Sequence, residues 1–327
     1  MKRAVIIMNL GTPAAPTAKA VRAFLKEFLS DPRVVEVPRP IWWCILNFVI
    51  LPFRSPKVAK AYHSIWQNGG SPLRIITESQ QQKLQLLLTD KLAADVTVRH
   101  AMTYSGPSLE TVVGELEAQG FEEFVLLPLY PQYSATTTGS IFDQLAELNA
   151  RRRNIPQIHL IKHYHQHPLY IEALANSVRS HWQQHGQGQR LVMSFHGIPQ
   201  RNVDLGDPYY EHCLSTARLL AQALNLQESQ WIMSFQSRLG RAQWLQPYTS
   251  ETLQKLARES VSHVDVICPA FSADCLETLE EMEEENKQVF IDAGGKQYGL
   301  IPCLNDSDEH IKMMAELLLD YLPSTKP

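Results

Sequence analysis

Short apolar runs alternate along the chain with longer segments in which apolar residues recur at helical spacing. Eight of the short runs are rich in β-branched or aliphatic residues, which is typical of buried strands in a parallel sheet. The predicted strands are residues 5–10, 96–102, 124–129, 158–161, 191–195, 231–234, 264–268 and 298–301. The predicted helices include residues 25–29, 84–88, 214–224 and 313–322.

This alternation predicts an α/β fold with two similar, doubly wound parallel-sheet domains. The run Arg151-Arg152-Arg153, closed by Pro156, indicates a boundary between domains at residues 1–155 and 156–327. The last helix of the second domain can pack back on the first. In each half a strand leads into a loop rich in small or polar residues, so we expect the halves to be structural duplicates.

Composition narrows the class of function. The 327 residues carry a net charge of -4, so they offer no general positive charge for a nucleic-acid partner. The five cysteines are scattered without CxxC spacing and are interpreted as reduced thiols of a cytoplasmic protein. No phosphate-binding GxxxxGK[ST] loop is present. The apolar run at residues 41–53 is too short to cross a bilayer, which takes about 20 residues.

One candidate functional residue is His196, which directly follows the predicted strand at 191–195. Gly197 and Pro199 then turn the chain sharply, and ligands of open parallel sheets bind beyond the carboxyl ends of the strands. Taken alone, a hydrogen-bonded loop histidine without chemical function is the more frequent case.

A second candidate is a row of carboxylates after the strand at 264–268. Glu277, Glu281 and Glu285 are four residues apart, which places them along one ridge of a helix. Asp274 and Glu277 also have the spacing of a helix capping box, and an acidic ridge is often only a solvated face. Since His196 and this row both follow strands of the same half, we expect them to converge.

Three alternating histidines are a further candidate metal site. His163, His165 and His167 could chelate a metal from one side of an extended segment. Because Pro168 and a helix follow directly, we interpret the segment as an interdomain connector with solvent-facing imidazoles.

Four motifs together resemble the ferrochelatase family, in order and across essentially the whole chain. They are GGSPL at 69–73, LYPQYSATTTGS at 129–140, SFHGIP at 194–199 and PAFSADCLETL at 269–279. The resemblance implies insertion of Fe2+ into protoporphyrin IX to give protohaem, the terminal step of haem biosynthesis. It also implies that the porphyrin lies in a cleft between the two domains.

The resemblance implies residue roles as well. His196 and Glu277 resemble the metal-site and proton-abstracting pair, and Glu281 and Glu285 continue an acidic path behind Glu277. The segment at residues 40–56 resembles an apolar lip over the porphyrin. Residues that resemble porphyrin-contacting groups are Tyr130 and Trp244 in the cleft, and Arg54, Lys57 and Ser71 at the propionates.

Departures from the family pattern limit what can be carried over. Ala135 stands where some members have a cysteine that ligates an iron–sulfur cluster, so we expect no cluster and no permanently bound cofactor. Cys275 and Thr103 replace a histidine and an arginine of the eukaryotic members, so those two roles are not transferred.

Three alternatives remain open at this point. The enzyme could act on coproporphyrin or another tetrapyrrole, or the chain could be a binding protein that carries haem or metal without turnover. The apolar run at 41–53 also allows a membrane-docking role, or transient peripheral contact of an enzyme with a membrane surface.

Overall fold

A computed structural model of the protein describes residues 2–92, 96–238, 240 and 242–322. The chain forms two compact units. Unit 1 comprises the residues up to Lys162 together with those from Ile311 onward, and unit 2 comprises His163–His310. The division therefore follows Lys162 rather than residue 155, and most of the final helix is grouped with unit 1.

Unit 1 is a four-stranded parallel sheet with surrounding helices. Its strands are β1 (Lys2–Asn9), β2 (Val96–Met102), β3 (Phe121–Pro128) and β4 (Gln157–Leu160), in the order β2-β1-β3-β4. Its helices are α1 (Ala18–Ser30), α2 (Arg39–Ile45), α3 (Leu51–Ile65), α4 (Pro72–Lys91), α5 (Leu109–Ala118) and α6 (Ser140–Ala150). Two π-helical segments, Leu46–Ile50 and Ala135–Gly139, precede α3 and α6.

Unit 2 repeats this arrangement. Its strands are β5 (Arg190–His196), β6 (Trp231–Gln236), β7 (His263–Ile267) and β8 (Gln297–Ile301), all parallel, in the order β6-β5-β7-β8. Its helices are α7 (Pro168–His185), α8 (Gln200–Asp204), α9 (Tyr209–Ala223), α10 (Thr249–Arg258) and α11 (Lys287–Asp292). The 3-10 turn Glu228–Gln230 precedes β6, and the π-helix Glu277–Asn286 leads into α11. The last helix is α12 (Asp308–Leu319).

All eight predicted strands are confirmed, with ends shifted by a few residues, and the predicted α/β class with two parallel sheets is correct. The central strands are buried on both faces, as their near-continuous apolar sequence requires. In unit 1 the apolar core packs β1 and β3 against α5 and α6. In unit 2 a corresponding core packs β5, β7 and β8 against α10, the π-helix and α11.

The duplication extends to the residues after the central strands. Asn9 pairs with Met102 in unit 1, and Phe195 pairs with Phe235 in unit 2. The backbone N–H of Met102 then donates to the Pro107 carbonyl, as that of Phe235 donates to the Pro247 carbonyl. On this register the segment LGTP at 10–13 is equivalent to HGIP at 196–199.

The apolar segment predicted as a lip forms α2, the π-helical turn Leu46–Ile50 and the start of α3. Trp43, Phe48 and Phe53 are 57%, 67% and 78% exposed, respectively. Within the described part of the chain, we find no helix with both the length and the apolar character needed to cross a bilayer.

Candidate active site at the carboxyl edge of the unit 2 sheet

His196 is the last residue of β5 and is half-buried. Its Nδ1 lies 2.7 Å from the carbonyl oxygen of Gly197. A carbonyl oxygen only accepts, so Nδ1 carries the proton in this bond and the neutral ring keeps its lone pair on Nε2. The ring of Phe271 lies 6.2 Å away, between centroids. The imidazole is therefore oriented with Nε2 available to accept a proton or to bind a metal.

Gly197 allows β6 and Trp244 to approach the histidine closely. Its N–H donates to the Gln236 carbonyl over 2.8 Å. A Cβ at this position would lie 2.9 Å from the Gln236 carbonyl oxygen and 3.2 Å from the Trp244 ring. Only glycine fits this contact without displacement of a neighbour.

The acidic row lies on a π-helix, Glu277–Asn286, and not on the α-helix that the four-residue spacing suggested. Its hydrogen bonds run from residue i+5 to residue i, which widens the turn. Glu277 and Glu281 are half-buried, whereas Glu285 is exposed. The row is therefore graded in exposure, a feature that spacing alone does not show.

Glu281 is held by the residue that follows β6. The backbone N–H of Ser237 donates to its carboxylate over 2.7 Å, and the Ser237 hydroxyl donates to the other oxygen. Burial raises the pKa of Glu281, while the bonds from Ser237 and the nearby His196 oppose that rise. Ser237 has a φ of +66°, an uncommon conformation for a non-glycine residue. Our prediction did not include Ser237, although it directly follows a strand.

Glu277 begins the π-helix, and its carbonyl accepts a hydrogen bond from Gln236 Nε2 over 2.9 Å. The pKa of the neighbouring Cys275 thiol is raised, first by burial and then by the charge of Glu277. Cys275 is therefore a neutral thiol and not a substitute for a charged or basic group.

The capping-box interpretation of Glu277 is wrong. No side chain caps this helix, and Asp274 is bonded elsewhere. Its Oδ1 accepts from the Thr278 hydroxyl over 3.0 Å, and its Oδ2 accepts from Asn305 Nδ2 over 2.7 Å. Asp274 thus joins the loop after β7 to the loop after β8 and does not cap the π-helix.

Comparison with known proteins decides the family. The family model for ferrochelatase matches residues 2–322. The ferrochelatase of Herminiimonas arsenicoxydans is 54% identical over 319 residues, which cover 97% of this chain and 86% of that protein. The chain belongs to the ferrochelatase family. The ferrochelatase of Aeromonas hydrophila is 52% identical over 317 residues, covering 97% of this chain and 98% of the relative.

Solved structures of other chelatases share the fold of this ferrochelatase family member. SirB from Bacillus subtilis with Fe3+ gives a TM-score of 0.57 at 12% identity, covering 98% of this chain and 95% of that one. CbiX gives 0.54 at 12% identity, covering 99% and 100%. Together with its close relatives, the family shows that the chain is an enzyme, a porphyrin metal chelatase of haem biosynthesis.

The residues predicted to contact porphyrin lie in both units. Ser71 is buried and caps α4, because its Oγ accepts from the Arg74 N–H over 3.3 Å. Tyr130 packs against the core of unit 1, and burial raises the pKa of its phenol. Trp244, in unit 2, has a buried indole Nε1 that bonds to no described residue.

The two cationic residues predicted at the propionates both lie on α3. Arg54 is half-buried and Lys57 is exposed. Both follow the exposed aromatic side chains of the apolar segment.

The expectation of solvent-facing connector histidines is wrong for His165. This ring is buried and stacks on His212, with centroids 3.7 Å apart and planes inclined by 12°. The ring lies against α9, and the Thr216 hydroxyl of that helix donates to the His165 backbone carbonyl over 3.0 Å. Burial and the neighbouring histidines lower the pKa of His165 to about 3. His163 is exposed, as expected.

Among the described residues, no three His, Cys, Asp or Glu side chains are grouped as a metal site. The predicted set of His196, Glu277, Glu281 and Glu285 is thus not assembled as a closed ligand cage in this structure. All five cysteines are free, and only Cys44 is exposed.

Proposed function

We propose that the enzyme inserts Fe2+ into protoporphyrin IX to give protohaem, with His196 and Glu277 at the metal-handling centre. The observation that supports this most is the orientation of His196. Its Nδ1 is held by the Gly197 carbonyl, so Nε2 carries the lone pair at the carboxyl edge of the sheet. Glu277 begins the π-helix that follows the neighbouring strand β7, and Glu281 lies four residues further along it.

The reaction requires a base. Two pyrrole N–H protons leave the macrocycle as the metal enters, and an imidazole can accept a proton near neutral pH. The carboxyl group of Glu281 is close enough to His196 to interact with it electrostatically. The fixed Nδ1–H bond keeps Nε2 as the accepting atom.

The acidic row supports a transfer path for the metal or for protons. Exposure falls from Glu285, which is exposed, to Glu281 and Glu277, which are half-buried. Carboxylate oxygens and one imidazole form a borderline ligand set that Fe2+ accepts. A loose set suits transfer because a closed cage of several tight ligands would retain the ion.

Arg54, Lys57, Ser71, Tyr130 and Trp244 are proposed as porphyrin contacts. The porphyrin is an apolar disc with two carboxylates on one edge, and Lys57 is an exposed cation on the same helix as the exposed Phe53. The orphaned Nε1 of Trp244 supports a polar contact with a ligand, because a buried donor without a partner is costly. Ser71 keeps its hydroxyl proton as a donor while its oxygen caps α4.

We further propose that the enzyme has no iron–sulfur cluster and touches membranes only peripherally. Ala135, where some members have a cluster ligand, begins the π-helical segment Ala135–Gly139 and offers no thiolate. The exposed aromatic side chains of residues 41–53 support surface contact with lipid, and sedimentation with liposomes tests it.

Anaerobic incubation of the purified enzyme with Fe2+ and protoporphyrin IX tests the proposed function. We expect repeated turnovers, seen as the haem spectrum. Parallel assays with a coproporphyrin distinguish the substrates. Faster turnover of the coproporphyrin would reject the proposed substrate, and binding of one equivalent of haem without turnover would reject catalysis.

A further inference from the structure

We infer that Gln236 is a positioning residue, which ties the start of the acidic π-helix to the strand ends that present His196. The inference rests on the proposed roles of His196 and Glu277.

Gln236 ends β6 and is only 3% exposed. Its side-chain Nε2 donates to the Glu277 carbonyl over 2.9 Å. Its backbone carbonyl accepts from the N–H of Gly197 over 2.8 Å, directly after the histidine. One buried residue therefore contacts both segments that carry the proposed catalytic pair.

A chain of buried hydroxyl groups fixes the amide of Gln236. Its Oε1 accepts from the Ser194 hydroxyl over 2.8 Å and lies 3.5 Å from the thiol of Cys268. Ser194 lies 2.8 Å from the Thr249 hydroxyl, which lies 2.9 Å from that of Ser234. Because Ser194 uses its only proton toward Gln236, Thr249 donates to Ser194 and Ser234 donates to Thr249. This order leaves Nε2 free to donate to Glu277 and strengthens each bond.

The π-helix has no side-chain cap at its start, so the bond from Gln236 supplies a side-chain contact to its first residue. The hydrogen bond from Gln236 fixes the backbone of Glu277 and thereby positions its side chain. Ser194 lies two residues before His196 on β5, so both carry their side chains on the same face. The chain of hydrogen bonds thus connects the backbone of Glu277 to β5, the strand that carries His196.

Unit 1 has a position equivalent to Gln236 but no acidic π-helix. On the strand register, Thr103 is equivalent to Gln236. The Thr103 hydroxyl donates to the Asn9 carbonyl over 3.2 Å, so it bonds back to its own sheet. In unit 1 the bond between this position and the following helix comes from the helix, because Gln144 Nε2 on α6 donates to the Thr103 carbonyl over 2.8 Å. In unit 2 the strand-end residue itself reaches the π-helix.

The first test is Gln236→Leu, with Gln189→Leu as a matched control, because Gln189 bonds the backbone of Ser262 and His263 at the opposite end of the same sheet. We expect kcat to fall about 10- to 100-fold, as is common when a supporting partner of a site is removed. The KM for porphyrin and the thermal midpoint should stay near those of Gln189→Leu. A kcat within twofold of the control, or a loss explained by unfolding, would overturn the inference.

The variant Gln236→Glu gives a readout that a structural role would not produce. A protonated carboxyl can still donate to the Glu277 carbonyl, whereas an ionised one cannot. The titratable groups that face the position are Cys268 directly after β7, His196 on β5, and Glu277 with Glu281 on the π-helix. We expect the activity of this variant, relative to the wild type, to fall as pH rises. A constant ratio across pH would contradict the inference.

Combination with Glu277→Gln separates this inference from the proposed function. If Gln236 acts through Glu277, Gln236→Leu should cost much less in the Glu277→Gln background, measured in single turnovers. If the rate losses of the two single variants multiply fully in the double variant, the inference about Gln236 is wrong and the proposed function still stands. Wild-type activity of Glu277→Gln would instead reject the role of Glu277, and the inference with it.

Discussion

The two units have the same strand order and the same turn after the central strand, yet they carry different side chains there. At the position of His196, unit 1 has Leu10, and each is followed by a glycine and, two residues later, a proline. The polar side chain of Thr103 bonds within its own sheet, whereas Gln236 reaches the next helix. The fold therefore supplies equivalent positions in both units, and only unit 2 carries a base there.

The π-helices that follow β3 and β7 also differ, in their charge. The segment after β3 is Ala135–Gly139 and has no charged residue. The helix after β7 is Glu277–Asn286, with six glutamates in ten residues. Such a density of negative charge is unfavourable unless protons, cations or donors offset it, and Ser237 provides two donors to Glu281.

The largest effect should come from removing the base that distinguishes unit 2. We expect His196→Ala to slow metal insertion by about 10²- to 10⁴-fold, the usual contribution of a general base. Loss of free-porphyrin fluorescence on insertion gives the rate, and fluorescence titration gives porphyrin affinity, which should largely survive. His185→Ala, at the far end of α7, is the control and should retain full activity. Near-normal turnover of His196→Ala would reject the assignment.

The two half-buried carboxylates should differ in effect. Glu277→Gln removes the proposed partner of His196, and we expect a loss of about 100-fold, within the range of acid–base contributions. Glu281→Gln keeps an acceptor for Ser237, so its loss should be nearer 10-fold. The rates of both variants under saturating Fe2+ and porphyrin check the order. The reverse order would transfer the central role to Glu281.

Substitution of the two equivalent glycines, Gly11 and Gly197, should have different effects. Gly11 has a φ of +104°, and a Cβ there would lie 1.8 Å from the Tyr104 carbonyl oxygen. We expect Gly11→Ala to lower the free energy of unfolding by about 2–5 kcal/mol, through strain and overpacking. Gly197→Ala has no such φ and should cost mainly activity, by displacing Trp244 or Gln236. Denaturant unfolding and kcat of both variants test this, and equal stability losses would contradict it.

A smaller difference between the units concerns how folding stability depends on pH. Burial and the neighbouring histidines lower the pKa of His165 from 6.5 to about 3, so the folded protein resists protonation that the unfolded chain accepts. Stability should therefore fall as pH drops from about 6.5 toward 3, and His165→Gln should reduce that slope. Thermal midpoints between pH 7 and 4.5 measure it. The exposed His63→Gln in unit 1 serves as the control, and an unchanged slope in His165→Gln would refute the explanation.

Much of the fold could be predicted because parallel strands buried on both faces leave continuous apolar runs, and all eight strands were found. Glu277, Glu281 and Glu285 were placed on one helix, but its π character was missed, since spacing by four residues suits an α-helix equally well. Ser237 and Gln236 were missed as well. The strand-end rule that selected His196 applies to them too, but neither side chain draws attention as a base or a metal ligand.

The burial of His165 could not be predicted from its neighbours in sequence. Its partner, His212, lies on α9, and only the tertiary structure brings the two rings together. The capping-box alternative failed for the same reason, because Asp274 bonds Asn305 from a distant loop.

The central claim is that His196 and Glu277 act as one unit in metal insertion. The most direct test is a double-mutant cycle of His196→Ala and Glu277→Gln, using anaerobic single-turnover rates of haem formation. Groups that act together are strongly non-additive, so the double variant should be about as slow as the slower single variant. Two losses that multiply in full would contradict the account.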